Sequence, residues 1–504
     1  LQEDNSLGFN ITTPKDGFDI YGGKAKYYDK LHLSDLGLIG SGKFKYLNAT
    51  ASSDDILFFP DSTNLHTNEF MISEVISGIE FPEVSNTATY ARYLPYKDLL
   101  MINKKKKDFN FYKSQATFSG DLIMKPTGLT GKGIMKLDKA EVTADLFKYN
   151  ANWFKSDTAS LDVFEDGGLI AFRAKNLRTY IDLEIRQGIF NSNGFGSYVE
   201  LPANQYICYI DELKWSMDKE LLTLGEQFNQ GDGSEFISVH PRQDSLRFFA
   251  KTARYSLKDY IIHAGGVEEL FIADAIIEPD SGLLTVAKKG VIQTLNSAKI
   301  VANDSTKYHV FTNASIDIKS ANQYLANGYY TYKDATNNLQ EIFFKDIRVN
   351  SDVSTIAKAE LENEALFHID SKFDFKGSIE LISDRKYLTF DGFFMINHDC
   401  NLITKEWVKF RSEINPKDIV FMLDKKVYNE KDNLLSTSLV MNVDSNNIYS
   451  TFLSKKKKKN HIDMLSASHS LKYDNKNNAY IVGGPDSLDN YYVFYDKQCK
   501  IEAV

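Results

Sequence analysis

Apolar and polar residues alternate with a period of two along most of this chain. Segments 292–302 and 308–318 both alternate in this way, and the polar triplet Asn303-Asp304-Ser305 separates them. Turn-forming Gly, Asn and Asp recur about every ten residues, which is the spacing of short antiparallel strands. The same alternation is present in segments 43–46, 380–383, 387–390 and 491–495. The pattern predicts an all-β protein.

Helical periodicity is confined to two brief stretches, 217–228 and 357–367, where we predict short connector helices. With about 10–12 residues for each strand and its turn, the chain forms on the order of 40 strands. Stacked in two layers at about 4.8 Å per strand, these strands give an elongated body. The open edges of such a body need terminal caps or partner strands.

An internal repeat accompanies the alternation. Segment 31–54 matches segment 122–145 without a gap, and a partial third copy aligns 295–303 with 137–145 and 314–318 with 159–163. Alternation alone does not require G-x-G at matching places, so a true repeat explains the match better than convergent β-patterning. The coinciding residues are Gly37, Gly40, Gly42, Ala49 and Asp54 in the first copy, and Gly128, Gly131, Gly133, Ala140 and Asp145 in the second.

The repeat has a direct physical interpretation. G-x-G beside a strand predicts a bulge or bend where backbone passes close to backbone, and the Asp is expected to end its strand in a turn. Because one unit cannot bury its own apolar face, neighbouring units must stack on it. We therefore expect a stacked antiparallel β-repeat body, similar to a β-solenoid or jelly roll. Three repeat regions (1–115, 116–235 and 236–375) precede a C-terminal β region (376–504).

Composition supports the strands and narrows the partners. Aromatic residues make up 13% of the chain and only 10 of its 504 residues are proline, which suits sheet ladders. The net charge of −9 argues against nucleic acid as a partner. Two lysine runs, 104–107 and 455–459, are interpreted as solvated loops or protected edges, with contact to an anionic membrane surface or a polyanion as the alternative.

Cysteine and histidine spacing predicts no metal centre. Cys208, Cys400 and Cys499 share no CxxC spacing, so one disulfide is arithmetically allowed, but we expect three lone thiols. His398 and Cys400 would share a face of a strand, as the start of a zinc site would, yet a structural turn is the favoured interpretation. No HxH, HExxH or HxxxH pair occurs among the nine histidines.

Motifs for catalysis are equally sparse. Segments 37–42 and 128–133 superficially resemble phosphate loops, but neither fits GxxxxGK[ST], and no G-x-S-x-G elbow occurs. The pair Asp54-Asp55 is assigned to a repeat turn rather than to acid–base chemistry. We therefore expect a protein that is not an enzyme, with no catalytic residues, metal or cofactor. Segments 240–249 and 390–399 mix polar and aromatic residues, as a glycan- or peptide-binding surface does, or as ordinary packing does.

The G-x-G repeat, with its following Ala and Asp, resembles the β-repeats of organic-solvent-tolerance and AsmA-type envelope proteins. In that group, U-shaped β-stacked bodies carry lipid through the periplasm. Segments 391–400 and 407–416 resemble the very large envelope proteins of Bacteroidota, in which such segments lie within a longer exported polypeptide. Lys and Asp interrupt the apolar stripe that a lipid groove needs, so the resemblance implies the architecture more directly than lipid carriage.

These observations rank three functions. The first is a non-enzymatic scaffold of the cell envelope, exported and periplasmic or outer-membrane associated, which docks other envelope proteins and in a second form carries lipid. The next is a surface module for glycans or proteins that uses Trp153, Trp215 or Trp407 as aromatic platforms. A β-helical polysaccharide-processing enzyme is the third. No apolar stretch has the 18 to 20 residues of a membrane-spanning helix, and the chain starting at Leu1 is interpreted as processed or as a piece of a longer protein.

Overall fold

The computed structural model describes residues 8–194, 196–209, 211–225, 233–361, 367–483 and 490–504. Strands account for 62% of the chain and helical turns for 1%, so the all-β prediction is confirmed. The helical turns within the described ranges are two single 3-10 turns, Asp280–Gly282 and Lys288–Gly290.

Forty-six strands lie within these ranges. Strands of the first third are β1 (Phe9–Thr12), β2 (Phe18–Ile20), β3 (Ala25–Ser34), β4 (Gly37–Tyr46), β5 (Ala49–Phe58), β6 (Thr63–His66), β7 (Glu69–Ile72), β8 (Val84–Asn86), β9 (Thr89–Leu94), β10 (Leu99–Lys104), β11 (Phe109–Phe111), β12 (Ala116–Lys125), β13 (Gly128–Lys136), β14 (Ala140–Tyr149), β15 (Trp153–Phe164) and β16 (Ile170–Asp182). The middle strands are β17 (Gln187–Ser192), β18 (Tyr198–Leu201), β19 (Tyr206–Tyr209), β20 (Glu212–Ser216), β21 (Leu221–Leu224), β22 (Ser234–Ser238), β23 (Arg247–Ala250), β24 (Thr252–Ser256), β25 (Ile261–Gly265), β26 (Leu270–Ile272), β27 (Ala275–Glu278), β28 (Leu284–Val286), β29 (Leu295–Ala302), β30 (His309–Ser320), β31 (Gln323–Lys333) and β32 (Leu339–Val349). The last are β33 (Thr355–Leu361), β34 (Phe367–Asp370), β35 (Phe373–Ile382), β36 (Leu388–Ile396), β37 (Val408–Ile414), β38 (Val420–Met422), β39 (Val427–Tyr428), β40 (Leu434–Met441), β41 (Ile448–Ser454), β42 (Ile462–Ser466), β43 (Ser470–Asp474), β44 (Ala479–Val482), β45 (Tyr492–Tyr495) and β46 (Lys500–Ala503).

The chain forms two compact units. Among the described residues, unit 1 takes those within 1–241, 247–267 and 283–291, and unit 2 takes those within 242–246, 268–282 and 292–504. Unit 1 is built on one antiparallel sheet of 26 strands, β1–β25 and β28. Unit 2 holds sheets of 11, 5 and 4 strands. The division of the sequence into four regions stays a prediction.

The unit 1 sheet divides and rejoins. β5 pairs with β7 through its first half and with β6 through its second half. One branch runs through β6, β9 and β10, the other through β7, β8 and β11, and both end on β12. A second division starts at β16, which pairs with both β17 and β18. Long strands thus alternate with pairs of short ones.

Aromatic side chains fill the interior of unit 1. Phe111 of β11 and Tyr149 of β14 have ring centroids 5.0 Å apart, although two strands, β12 and β13, separate them in the ladder. Three strand spacings amount to about 14 Å in a flat sheet. The sheet must therefore curve so that its parts face each other across these rings. Phe118, Phe147 and Phe154 belong to the same buried cluster.

The first two copies of the predicted repeat have the same strand register. In the first copy Gly40 pairs with Ile56 and Gly42 with Ser53, across a register shift between the two glycines. In the second, the positions 91 residues later pair in the same way: Gly131 with Phe147 and Gly133 with Ala144, again across a shift. The G-x-G bulge expected from the sequence is present in both copies.

Two details of the repeat prediction are wrong. Asp54 and Asp145 do not end their strands but lie inside β5 and β14, because the bulge absorbs the extra residue and the strand continues. The third copy does not keep the register, since Ala298 pairs with Ala314 whereas Ala140 pairs with Val163. A register shift between Leu295 and Ala298 displaces that pairing.

Gly133 illustrates why the bulge requires glycine. Its φ is +153°, and a Cβ placed there would lie 2.3 Å from the Ser119 carbonyl oxygen and 2.7 Å from the Gly120 Cα. We expect Gly133→Ala to lower the free energy of unfolding by about 2–3 kcal/mol, because backbone on both strands must move. The measurement is the denaturant midpoint of unit 1, with tryptophan fluorescence as the probe of unfolding.

Gly167→Ala is the matched control for this change. A Cβ at Gly167 meets nothing within 4 Å, and the residue lies in an exposed turn of the same unit. This variant should unfold within about 0.5 kcal/mol of the parent protein. Equal midpoints for the two variants would show that the close backbone contact at the bulge does not make the protein sensitive to an added Cβ.

Unit 2 repeats the glycine contact in a place that the sequence comparison missed. Gly377 of β35 pairs directly with Gly392 of β36, as Gly120 pairs with Gly133 in unit 1. A Cβ on Gly392 would lie 2.3 Å from the Lys376 carbonyl oxygen. Both units therefore use a glycine pair to bring two long strands into close backbone contact.

Both predicted connector helices are wrong where the structure describes them. Residues 217–220 form a tight turn into β21, and 357–361 belong to β33. Ala357, Ala359 and Leu361 alternate with more exposed residues, and β33 pairs with both β32 and β35. Sheet pairing thus overrides the helix propensity of this Ala-, Lys- and Glu-containing segment. Residues 226–228 and 362–366 lie outside the described ranges.

Candidate binding surfaces

A hollow lies beside Trp215 in unit 1. Strand β20 places Trp215 directly between Gly188 of β17 and Leu222 of β21. A Cβ on Gly188 would lie 2.8 Å from the Phe190 ring, so the glycine makes room for that ring. The cavity measures about 70 Å³. Its lining consists of Gln115, Leu137, Asp138, Lys139, Val163, Phe164, Leu183, Arg186, Trp215, Met217, Glu220 and Leu257.

Trp215 supplies this hollow with an aromatic surface and a buried donor. The residue is 5% exposed, and its indole N–H has no hydrogen-bond partner among the described residues. A buried donor without a partner costs free energy, so an acceptor on a ligand would relieve that cost. An aromatic ring with polar groups around it is also the combination that lines many sugar-binding sites in proteins.

The charged groups of the hollow are paired with one another. The Lys139 ammonium lies 3.0 Å from Glu220 and 3.1 Å from Asp166. These contacts, the Glu220 hydrogen bond first, raise the pKa of Lys139 above its ordinary value. Arg186 forms an ion pair with Asp218. The rim of the hollow is thus polar, and carboxylates balance the positive charges of Lys139 and Arg186.

A second, wider hollow adjoins the first. It measures about 360 Å³ and shares Gln115 and Leu183 with the Trp215 hollow. An ion pair and a hydrogen bond border it: the Lys113 ammonium lies 3.1 Å from Glu74, and Asn152 donates to Glu184 at 3.0 Å. Together the two hollows form one concave polar surface on unit 1.

The other two tryptophans are covered by lysine side chains. The Lys155 ammonium lies 5.4 Å from the Trp153 ring centroid, and that ring also contacts Tyr180. The Lys376 ammonium lies 4.4 Å from the Trp407 ring and forms an ion pair with Glu430. Of the three tryptophans proposed as platforms, Trp215 lines a hollow, and there it is buried rather than exposed.

Cysteine pairing differs from the expectation. Cys400 and Cys499 form a disulfide, with Cα atoms 5.1 Å apart, so the prediction of lone thiols is wrong for both. Cys208 is a free, buried thiol in β19, and burial raises its pKa. The disulfide removes Cys400 as a zinc ligand, and His398 instead packs perpendicular to the Phe494 ring at 5.3 Å. Residues 397–400 have no regular secondary structure, in agreement with a structural connection after β36.

One histidine–carboxylate pair escaped the sequence analysis. His368 Nδ1 lies 2.6 Å from the carboxylate of Asp374, which is 3% exposed and also accepts from Asn397 at 2.9 Å. Spacing gave no signal, because the pair forms across the hairpin between β34 and β35. Among the described residues, no hydroxyl or thiol is bonded to the other ring nitrogen. We therefore interpret this pair as a structural contact that orders the hairpin.

The other residues that the sequence singled out lie in strands or in the aromatic core. Asp54 and Asp55 lie exposed within β5, not in a turn, and Asn68 donates to Asp54 at 2.7 Å. Phe248 and Phe390, from the two mixed polar and aromatic segments, are both buried in ring clusters. Within the described ranges, no group of three His, Cys, Asp or Glu side chains is arranged to hold a metal ion, and no helix has the length and apolarity to cross a membrane.

Two buried histidines of unit 2 predict an acid sensitivity. His309 is 1% exposed, its Nε2 lies 2.7 Å from the Arg385 carbonyl oxygen, and burial lowers its pKa; burial also lowers the pKa of His398. The unfolded chain therefore binds protons more readily, and stability falls as pH drops below the ordinary histidine value of about 6.5. We expect unit 2 to lose stability between about pH 6.5 and 5 and to change little from this cause above pH 7.

The measurement is the denaturant midpoint of unit 2 against pH. Replacing His309 by glutamine should reduce the slope of stability by up to about 1.4 kcal/mol per pH unit, whatever its effect at pH 7. Exposed His469→Gln serves as the control for the exchange of histidine for glutamine itself. An unchanged slope in the His309 variant would contradict the prediction.

Comparisons of the chain with protein-family models, curated proteins and solved structures find no match.

Proposed function

We propose that this chain is an exported, non-enzymatic scaffold of the cell envelope, periplasmic or outer-membrane associated, which docks other envelope proteins. The observation that carries the proposal is the disulfide between Cys400 and Cys499. Disulfides persist in oxidising compartments and are rare in the cytosol, where thiols are kept reduced. The bond therefore supports export, as does the resemblance of the G-x-G repeat to envelope β-repeats.

The form of the molecule supports a scaffold role. Unit 1 is a single antiparallel sheet of 26 strands whose interior is filled by rings such as Phe111, Phe118 and Tyr149. Such packing gives a rigid body, because close-packed interiors transmit strain and leave few voids. Rigid sheets offer two kinds of docking surface: their outer faces and their unpaired edges.

Lipid carriage is the second form of this proposal, and the interior of unit 1 favours the lipid-free form. A carried acyl chain needs a continuous apolar channel, whereas aromatic side chains occupy the space between the facing parts of the sheet. The two hollows of unit 1 are bordered by ion pairs of Lys113 and Lys139. Native mass spectrometry of gently purified protein distinguishes the two forms through the presence or absence of bound acyl lipid.

Localisation and thiol state test the scaffold proposal together. The tagged full-length protein is fractionated from its own cells, and its thiols are alkylated before lysis. We expect Cys400 and Cys499 to be protected from alkylation and the protein to be cross-linked to defined envelope partners. A cytosolic protein with both thiols alkylated would overturn the proposal.

The Trp215 hollow favours a second function, the binding of a glycan. A sugar hydroxyl that enters the hollow would give the indole N–H the acceptor that it lacks among the described residues, and further hydroxyls would meet the polar rim. Trp215→Phe keeps an aromatic ring but removes the donor. For a glycan bound there, this change should weaken binding about tenfold, the value of one hydrogen bond. Calorimetry with hits from a glycan array provides the measurement, and Trp153→Phe is the control. Absence of any hit, or equal affinity in both variants, would reject this site.

A further inference from the structure

Strand β1 lies at an open edge of the unit 1 sheet. It pairs with β3 and with no other strand of the described ranges. Its four residues, Phe9–Thr12, are exposed, and none of them is a charged residue or a proline. Proteins usually protect such an edge with charges, proline or a bulge, because the free backbone groups can pair with another strand. β1 has none of these protections and pairs with β3 in regular register, so the edge is open to a further strand.

The internal repeat identifies the strand that is equivalent to β1. All four residue pairs between β1 and β3 recur 91 residues later between β10 and β12, in the same register. This shift is the one that relates the two G-x-G segments. Strand β10 thus occupies the place in the second copy of the repeat that β1 occupies in the first, and the two strands can be compared residue by residue.

Equivalent positions of the two copies differ in exposure. Phe9 is 77% exposed and Ile11 53%, whereas the equivalent Leu100 and Ile102 are 1% and 0% exposed. Leu33, which pairs with Phe9, is 47% exposed, and its equivalent in the second copy is fully buried. The apolar face that belongs to the core in the second copy of the repeat is therefore open to solvent in the first.

Strand β9 covers this face in the second copy of the repeat. Its Tyr93 pairs with Leu100 and its Ala91 pairs with Ile102, and both side chains are buried. The covering strand thus places two apolar side chains, two residues apart, on the inner face of the sheet. A strand that covers β1 in the same way needs the same alternation.

Strand β1 of a second molecule meets this requirement. The Thr13 N–H donates to the Asp29 carbonyl in the register of β1 with β3. Hydrogen-bonded pairs alternate along an antiparallel ladder, so Asn10 turns its own N–H and C=O to the free edge. A two-fold axis at Asn10 then joins the two Asn10 residues through both groups. The same axis places Phe9 of each molecule opposite Ile11 of the other, on the inner face.

We propose that the β1 edge is an interface between two molecules of this chain, in which their unit 1 sheets join across a two-fold axis at Asn10. Such an interface is self-complementary, as two-fold interfaces are. Phe9 and Ile11 of each molecule are covered by those of the other, as β9 covers β10. The opposite face of β1 presents Asn10 and Thr12, which carry no charge, so the two strands meet without repulsion between like charges.

Analytical ultracentrifugation of the whole chain tests this inference. We expect an equilibrium of monomer and dimer that shifts over about a hundredfold range of concentration. Ile11→Asp should weaken the dimer at least about a hundredfold, because each interface would then bury two charges without partners. Ile79→Asp is the matched control, since Ile79 of unit 1 is 52% exposed, and it should leave the equilibrium unchanged. Circular dichroism verifies that each variant folds.

Cysteine cross-linking tests the position of the axis through a small change at an exposed residue, and it decides the matter even if Ile11→Asp does not fold. Residues directly opposite in a hydrogen-bonded pair have Cα atoms about 5.5 Å apart, which a disulfide can span. Asn10→Cys should therefore form a disulfide-linked dimer under mild oxidation. Lys106→Cys, in an exposed turn of unit 1, is the control and should remain monomeric on a non-reducing gel.

Three results would overturn the inference: a parent chain that stays monomeric at every concentration, a dimer that folded Ile11→Asp leaves intact, or equal cross-linking at positions 10 and 106. Purified protein is used throughout, so these results are independent of both the scaffold and the glycan proposals.

Discussion

Replacing both Cys400 and Cys499 by serine will lower the free energy of unfolding of unit 2 by about 4 kcal/mol. The two cysteines are 99 residues apart in sequence, and the entropy of closing a loop of this length in the unfolded chain is about 4.7 kcal/mol. Measured values for native disulfides lie between about 2 and 5 kcal/mol, so the loss is expected near the upper part of that range.

The position of the bond explains why its loss concerns the whole of unit 2. Cys400 follows β36 of the 11-stranded sheet, and Cys499 precedes β46 of the 5-stranded sheet. The bond thus joins two sheets, and Lys372 and Asp496 add an ion pair of 3.6 Å between the same regions. Without the bond, the 5-stranded sheet remains attached through packing, polar contacts such as this ion pair, and the chain itself.

Denaturant unfolding of the double-serine variant, with and without a reducing agent, provides the measurement. The parent protein should lose the same stability on reduction, whereas the variant should not respond. Cys208→Ala is the control, since this thiol is free and its removal leaves the reductant effect intact. Thiol counting in the denatured parent should give one reactive thiol before reduction and three after it. Three thiols before reduction would contradict the pairing and would also withdraw the main support for export.

The alternation predicted the strands well because the polarity of each strand residue depends on the face of the sheet on which its side chain lies. The segments around Asn303-Asp304-Ser305 fold as β29, a turn and β30, and the G-x-G bulges lie where the repeat placed them. Local chemistry determines these features: a glycine is needed wherever a Cβ would meet the backbone of the next strand. The forked sheet of unit 1 has no such local signature, since branching depends on which distant strands share one long partner.

The errors have a common cause in tertiary contact. The segment at Ala357 contains good helix formers, yet pairing with two neighbouring strands outweighs a preference worth a few tenths of a kcal/mol per residue. Cys400 and Cys499 lack any recognisable spacing, because their proximity depends on how two sheets pack. The Trp215 hollow likewise combines residues from 115 to 257, which no motif could have grouped.

Replacing Phe421 by alanine will lower the free energy of unfolding of unit 2 by about 3–5 kcal/mol. Phe421 of β38 is fully buried, and its ring centroid lies 4.2 Å from Phe394, 4.8 Å from Phe373 and 4.9 Å from Phe410. These three rings come from β36, β35 and β37 of the 11-stranded sheet, whereas β38 belongs to the 5-stranded sheet. Truncation therefore removes apolar burial and leaves a cavity in the contact between two sheets.

Met422 is the matched control, because it is the next residue of the same strand and is 63% exposed. Met422→Ala should change stability by less than about 0.5 kcal/mol, and Phe421→Leu should recover part of the loss by filling part of the cavity. Denaturant midpoints of the three variants provide the measurement.

If the sheets form one cooperative unit, Phe421→Ala will lower the midpoint of a single transition. A separate early transition for the 5-stranded sheet would show instead that the aromatic cluster holds an otherwise independent subdomain in place, with the disulfide as its remaining link. Equal losses at positions 421 and 422 would contradict the prediction, since burial is the only difference that it uses.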